Sequence, residues 1–243
     1  MRRGLAKVPP FTSEPVREGT IAGVRAFRRS RARAFEASGS DRFSAPANDG
    51  MDRRLAELLG AGGFFVEAGA NDGFRYSNTY LLERFHRWRG VLVEPIPALY
   101  RRCVSVRPEA QVFHAALVAR DFTGDTVRIR YGDLMSRIGG EDADANWGWE
   151  RSYELDVPAR TLSAILDWAR GPAPDLLSLD VEGYEVEVLA GLDWDRHAPR
   201  ALLLEVQDGS LERFGPELLE RYEVAEWLSG TDVLVMRRPL PDA

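Results

Sequence analysis

The sequence predicts an α/β fold in which helices cover both faces of a seven-stranded, mostly parallel sheet. Strand-like and helix-like segments alternate from residue 51 onwards, which is typical of βα units. An apolar strand that ends at Glu67 is followed at once by a Gly-containing turn and a helical segment. A short connection at residues 229–232 joins the last two strands, so we expect the final pair to be antiparallel.

The individual elements follow from the spacing of apolar residues along the chain. The predicted strands of the core cover residues 64–67, 91–94, 111–117, 176–180, 201–206, 223–227 and 233–237. The predicted helices cover residues 51–59, 77–88, 97–104, 162–169, 185–191 and 211–221.

An insertion at residues 123–160 separates the third and fourth core strands. Residues 126–131 and 153–157 alternate in strand fashion, whereas the acidic stretch 139–149 between them contains glycines and two tryptophans, Trp147 and Trp149. A long irregular loop in a compact domain is usually either functional or disordered. We therefore leave two readings open: a surface loop, or a substrate lid whose tryptophans stack on sugar rings.

Composition limits the class of protein. A hydrophobic content of 44% and a charged content of 29% are those of a soluble globular protein, and the net charge of −6 argues against a nucleic-acid partner. A single cysteine, Cys103, excludes an intrachain disulfide and favours a reducing cytoplasmic location. No apolar run reaches the length of a membrane span.

Residues 1–50 are expected to form an N-terminal arm or helical extension before the main domain at residues 51–243. The run of arginines at 25–33 is read as a solvated helix face or a mobile arm. The alternative is an arm that closes over a cofactor or pairs with a second subunit, and a homo-oligomer is compatible with that alternative.

The turn after the first strand predicts the type of cofactor. Its pattern, Glu67-x-Gly69-x-Asn71-Asp72-Gly73, lacks the glycine spacing that seats a pyrophosphate on a helix N-terminus. A ligand with an adenosine end and no phosphates fits better, and S-adenosylmethionine (SAM) is the common one. Glu94 ends the second strand, where a carboxylate accepts hydrogen bonds from both ribose hydroxyls.

The chain resembles the FkbM-type SAM-dependent methyltransferases in three groups of residues. These groups are residues 66–73 with Ser77-Asn78-Thr79, then Val93-Glu94-Pro95, then residues 179–183 with 188–191, and the matches extend roughly from Gly63 to Arg237. The resemblance implies a Rossmann-like class I methyltransferase fold. It also implies methyl transfer to natural-product, sugar or glycolipid acceptors.

The expected cofactor residues lie in the turn, at the start of the next helix and at the ends of the second and third strands. They are Glu67, Gly69, Asn71, Asp72, Ser77, Asn78, Glu94 and His114. An ordinary strand-to-helix turn also favours Gly, Asn and Asp, and Ser77 could simply cap the helix. A lone strand histidine such as His114 is more often packed than functional.

Asp180 and Glu182 are the expected catalytic residues, because the fourth strand delivers them to the sheet edge where α/β folds hold ligands. Asp180, Glu205 and Asp208 are also candidate ligands for a divalent metal such as Mg²⁺. The alternative is that Glu182 and Asp208 lie at helix starts, where the helix dipole favours acids.

The sequence therefore predicts a SAM-dependent O-methyltransferase acting on a hydroxyl of a small molecule, sugar or natural-product glycoside. One alternative is a nicotinamide-dependent oxidoreductase, although the turn lacks the phosphate-binding glycine spacing. The other is an inactive binding module, which would be expected to lose the acids at positions 67, 94 and 180, yet all three are present.

Overall fold

The computed structural model describes residues 14–131, 137–138 and 153–239. The chain divides into two compact units, Met1–Ser44 and Ala45–Ala243. In the first unit, helix α1 (Glu14–Glu36) is followed by a turn in which Phe43 packs edge-on against Phe35, with ring centroids 4.7 Å apart. None of the helices described is both long enough and apolar enough to cross a bilayer.

The second unit alternates strands and helices. Its strands are β1 (Gly63–Ala68), β2 (Trp88–Val93), β3 (Gln111–Phe113), β4 (Ala116–Leu117), β5 (Thr126–Tyr131), β6 (Arg137–Ile138), β7 (Tyr153–Arg160), β8 (Leu176–Leu179), β9 (Ala201–Glu205), β10 (Tyr222–Trp227) and β11 (Asp232–Arg237). Its α-helices are α2 (Met51–Leu59), α3 (Tyr80–Phe85), α4 (Pro97–Val106), α5 (Leu162–Ala169), α6 (Glu185–Ala190), α7 (Trp194–His197) and α8 (Pro216–Arg221).

The main sheet has seven strands in the order β10-β11-β9-β8-β1-β2-β3. From β9 to β3 all neighbours are parallel, whereas β11 runs antiparallel to both β9 and β10. The predicted fold class, including the antiparallel final pair, is confirmed.

Apolar side chains cover both faces of this sheet because successive residues of a strand point to opposite sides. In β1, Val66 belongs to the core cluster formed with α5 and α6, and its neighbour Phe65 belongs to the cluster formed with α2, α3 and α4. This alternation explains why nearly every residue of the central strands is apolar.

The predicted strand at 111–117 is wrong as a single element, because the chain changes sheets after Phe113. The backbone N–H of Glu94 donates to Phe113 O, which ends the pairing of β3 with β2. β4 instead pairs with β7 in a second sheet of order β4-β7-β5-β6. The strands predicted at 126–131 and 153–157 are confirmed as the antiparallel pair β5 and β7, and the stretch 139–149 lies outside the described residues.

Two predicted helices are also shorter than expected. α3 begins only at Tyr80, whose N–H donates to the Ser77 hydroxyl, and the chain turns at Arg87, with φ 59°, before β2 begins. The helix predicted at 211–221 is divided into a 3₁₀ turn at Glu212–Phe214 and α8. Gly215, with φ 87°, separates the two, and Pro216 opens α8.

Candidate active site

A cavity of about 470 Å³ lies at the carboxyl ends of β1, β2, β8 and β9. Open α/β sheets bind ligands at this edge, and the volume is in the usual range for small-molecule sites. Most of the sequence-predicted site residues line it, namely Glu67, Gly69, Asn71, Ser77, Asn78, Glu94, Asp180, Glu182 and Glu205.

Glu67, on β1, organises the segment that follows the turn. Its Oε2 accepts hydrogen bonds from the hydroxyls of Ser77 (2.8 Å) and Thr79 (2.6 Å), and its Oε1 accepts one from the Asn78 N–H (2.8 Å). The Asn78 side-chain amide donates to the Ser178 hydroxyl on β8 at 3.1 Å. Glu67 thus folds residues 77–79 back towards the sheet and brings Ser77 and Asn78 to the cavity.

Gly69 lets the turn lie directly against the loop that follows β8. Its φ of 80° is left-handed, and a Cβ built at this position would overlap the carbonyl oxygen of Asp180. The N–H groups of Gly69 and Ala70 both donate to Val93 O, at 3.0 and 3.2 Å. No residue with a side chain fits here, which explains the glycine in the motif.

Glu94 connects the turn to the end of β2. Its Oε2 accepts a hydrogen bond from Asn71 N–H and its Oε1 accepts one from Ile96 N–H, both at 2.8 Å. Burial raises the pKa of Glu94 to about 8, because desolvation disfavours the charge more than these two hydrogen bonds favour it. The carboxyl group lies in the wall of the cavity with only 3% of the residue exposed.

Asp180 follows β8, and its backbone N–H donates to Ala68 O at 3.2 Å. The residue is accessible from the cavity, yet surrounding protein atoms restrict the solvation of its carboxyl group. This enclosure raises the pKa of Asp180 to about 7, and the nearby charges of Glu182, Glu205, Asp232 and Glu185 act in the same direction. The carboxyl group therefore exchanges a proton near neutral pH.

Three non-glycine residues that line the cavity have left-handed backbones: Asn71 (φ 51°), Tyr76 (φ 61°) and Glu182 (φ 57°). Such conformations cost about 1–2 kcal/mol per residue and concentrate at functional sites. Tyr76 also lies beside Arg75, whose Nη2 donates to the Tyr76 hydroxyl at 3.1 Å.

Three predicted site residues do not line the cavity. Asp72 accepts hydrogen bonds from the N–H groups of Phe74 and Arg75, so it shapes the turn. His114 Nε2 lies 2.9 Å from Pro95 O, and Asp208 is an exposed loop residue.

The predicted metal site is not assembled from Asp180, Glu205 and Asp208. Within the described ranges, no group of three or more His, Cys, Asp or Glu side chains is arranged to hold a metal ion. The expectation of Mg²⁺ gains no support from this geometry.

Comparison with known proteins identifies the family. The model of the methyltransferase FkbM domain matches residues 67–229. The chain belongs to the FkbM methyltransferase family. A search of curated proteins gave no significant match.

Solved structures similar to this FkbM methyltransferase are distant in sequence. A TehB-like SAM-dependent methyltransferase from Corynebacterium glutamicum is 15% identical, with 92% of this chain and 100% of that chain covered and a TM-score of 0.40. The FkbM methyltransferase from Methylobacillus flagellatus is 15% identical, with coverages of 75% and 46% and a TM-score of 0.43. An RNA methyltransferase from Salinibacter ruber, solved with S-adenosyl-L-homocysteine, is 13% identical, with coverages of 82% and 97% and a TM-score of 0.40.

One residue that shapes a loop of the cavity in this FkbM methyltransferase was not predicted from the sequence. Glu185 is buried, and its Oε1 accepts hydrogen bonds from the N–H groups of Gly183 (3.0 Å) and Val181 (3.3 Å). It therefore holds the left-handed turn that contains Glu182. Its position in the first turn of α6 was the available signal, because an acid there commonly accepts from free backbone N–H groups.

Proposed function

We propose that this FkbM methyltransferase transfers a methyl group from SAM to a hydroxyl oxygen of a small molecule, sugar or natural-product glycoside. The observation that carries the proposal is the position of Asp180. The residue lines the cavity at the sheet edge, and the pKa of its carboxyl group is raised to about 7. A general base is most effective when its pKa lies near the working pH.

The residues around the cavity fit SAM. Glu94 presents a buried carboxyl group suited to the two ribose hydroxyls, and Gly69 and Asn71 line the cavity in the turn that follows β1. When bound, SAM supplies an electrophilic methyl group on a positively charged sulfur. Glu67, Ser77 and Asn78 shape the remaining wall through their mutual hydrogen bonds.

Asp180 performs the acid–base part of the reaction in this proposal. An alcohol oxygen becomes an effective nucleophile as it loses its proton, and the ionised Asp180 carboxylate is the group that accepts that proton. Glu182 and Glu205 line the same region, and their charges help to keep the pKa of Asp180 high enough for this task. The rest of the acceleration comes from holding donor and acceptor in line.

A second candidate function is methyl transfer to an amine. Six carboxyl residues line the cavity, whereas Arg75 is the single Lys or Arg among the described residues that line it; the six are Glu67, Glu94, Asp180, Glu182, Glu205 and Asp232. A site of this charge favours a cationic acceptor. Asp180 would then remove the proton from the ammonium group before attack.

Labelled SAM and a panel of acceptors test both candidates. Each acceptor is offered as a matched pair in which one hydroxyl is replaced by an amine, and product formation is measured across pH. Methylation of the alcohols supports the first proposal, whereas methylation of the amines alone replaces it with the second. A thermal-shift screen in which NAD, and not SAM or S-adenosylhomocysteine, stabilises the protein would contradict both.

A further inference from the structure

Arg107 follows α4 and is fully buried, with 0% of the residue exposed, yet it does not line the cavity. We propose that Arg107 is a positioning residue for methyl-donor binding, which fixes residues 69–79, here called the donor loop, from the side opposite the cavity. This inference rests on the proposed function, because it assumes that the donor loop contacts SAM.

The guanidinium group contacts the donor loop at three points. Its Nη1 donates to the Ser77 hydroxyl at 3.1 Å and to Gly73 O at 3.3 Å, and its Nη2 donates to the Thr79 hydroxyl at 3.0 Å. Its Nε donates to Glu83 Oε2 on α3 at 2.8 Å. The planar arrangement of donors in arginine makes such a fork possible, and lysine cannot reproduce it.

Arg107 and Glu67 act on the same two hydroxyl groups. Ser77 and Thr79 each accept a hydrogen bond from Arg107 and donate one to Glu67, and Arg107 Nη1 lies 3.5 Å from Glu67 Oε2. Each hydroxyl therefore donates to Glu67 and accepts from Arg107, which fixes its orientation. Ser77 itself lines the cavity, so this network connects the buried arginine to the binding surface.

Helix α4 supports the donor loop at a second place. The Cys103 thiol lies 3.0 Å from Asn71 O, and a Cβ built on Gly73 would come within 3.1 Å of Cys103 Cα and of Arg107 Cγ. The loop thus rests directly on this helix. Loss of Arg107 would remove one hydrogen bond from each of Ser77, Thr79 and Gly73, and Glu67 alone would then hold the two hydroxyl groups from the side of the sheet.

A purely structural ion pair is the competing explanation, and it makes a different prediction. Arg107 Nη2 lies 2.7 Å from Glu83 Oε2, and both side chains are at most 1% exposed. Removing one partner of a buried pair is strongly destabilising, whereas replacing both by apolar residues of similar volume is often neutral. Comparing removal of one partner with replacement of both therefore separates the effect of Arg107 on stability from its effect on the position of the donor loop.

The test compares Arg107→Met with the double variant Arg107→Met/Glu83→Met. We expect the single variant to have a much lower melting temperature, and the double variant to regain part of the loss, because the buried Glu67 still lacks the guanidinium group that lies 3.5 Å from its Oε2. SAM affinity measured by calorimetry should nevertheless stay at least about tenfold weaker in the double variant, since more than one buried hydrogen bond to the donor loop is missing. Arg107→Lys should show an intermediate affinity, and kcat at saturating SAM should change less than KM for SAM.

Two further variants complete the test. Tyr222 lies in β10, outside the cavity lining, and Tyr222→Phe removes its buried hydrogen bond to Pro199 O. This variant should lower the melting temperature without changing SAM affinity. Thr79→Val keeps the side-chain shape but deletes the hydroxyl that joins Arg107 to Glu67, and should weaken SAM binding several-fold. The Thr79 variant decides the question if the double variant does not fold.

The inference is overturned if the double variant, or Thr79→Val, binds SAM as the wild type does. If the wild-type protein itself fails to bind SAM, the proposed function fails instead, and the two failures are therefore distinguishable.

Discussion

The acidic residues of the motifs act first on the protein itself. Glu67, Glu94 and Glu185 each accept hydrogen bonds from groups in the loops that form the cavity, and Asp72 does so within its own turn. Hydrogen bonds to an ionised carboxylate are among the stronger ones in proteins, and Glu94 makes bonds of that kind only above its pKa of about 8. Substitutions at these positions therefore change loop structure and ligand binding together, and conservative variants are the informative ones.

Asp180→Asn should reduce turnover by about 10²-fold or more while leaving SAM binding nearly unchanged, because the amide cannot accept the acceptor's proton. In the wild type, kcat/KM should rise as pH increases through about 7, the pKa of Asp180, and then level off. Asp208→Asn, at an exposed carboxylate outside the cavity lining, is the matched control. Near wild-type turnover of the Asp180 variant would remove this residue from catalysis.

Glu94→Gln should weaken SAM binding by about 1.5–3 kcal/mol without unfolding the domain, and Glu94→Ala should weaken it at least as much. The amide replaces one acceptor oxygen by a donor, which then faces the N–H of Asn71 or Ile96. Calorimetric titration with SAM measures the effect, and Glu223→Gln, an exposed carboxylate on β10, is the control. Equal affinities for wild type and Glu94→Gln would exclude Glu94 from the ribose site.

At the scale of elements, the contact between the loops after β1 and β8 is tested by Gly69→Ala. Gly69 and Gly209 both have left-handed backbones, so alanine at either position brings a conformational cost of about 1–2 kcal/mol. Only at Gly69 would the new Cβ also overlap the Asp180 carbonyl oxygen, whereas nothing lies within 4 Å at Gly209. We expect Gly69→Ala to lose SAM binding and turnover while Gly209→Ala retains both.

Most strands were predictable because the apolar runs that turn residues bound in the sequence correspond closely to strands in the structure. The strand expected at 111–117 failed because β3 and β4 are both largely apolar, so the pattern does not show that the chain changes sheets between them. The helix expected at 211–221 failed although Gly215-Pro216 was visible as a break.

In the site, the acids at strand ends were predictable from topology, because parallel strands bring their carboxyl ends to one edge. The hydrogen-bond partners of the site residues were not predictable. The contacts of Arg107 with Ser77 and Glu83 span more than twenty residues of sequence, and no local pattern distinguishes this arginine from its neighbours Arg101 and Arg102. His114 was selected for its position on the third strand; its ring lies 2.9 Å from Pro95 O, and the residue does not line the cavity.

For the whole molecule, two raised carboxyl pKa values predict that stability falls as pH increases. The pKa of Asp180 rises from an ordinary value of 3.8 to about 7, and that of Glu94 from 4.5 to about 8. Between the ordinary and the raised pKa of each group, the folded state therefore holds more protons than the unfolded state. The contribution of these two groups to the free energy of unfolding is therefore most favourable below their ordinary pKa values. It is lost as pH rises through the folded-state pKa values.

Melting temperatures of wild type and Asp180→Asn, measured without ligand from about pH 5 to about pH 8, test this linkage. The variant cannot titrate at this position, so its melting temperature should increase relative to that of the wild type as pH rises. A difference that stays constant across this range would mean that Asp180 titrates alike in the folded and unfolded chains.

The packing of Cys103 has a practical consequence. It is the single cysteine in the chain, it is fully buried, and burial raises the pKa of its thiol, so a thiol reagent cannot reach a reactive thiolate while α4 covers the donor loop. Modification must wait for the contact between Cys103 and Asn71 O to open. The labelling rate of the unmodified protein therefore measures the free energy of that local opening, and SAM should slow it in proportion to its binding. Labelling of Cys103 in the wild-type chain thus measures motion at the proposed SAM site without an introduced label.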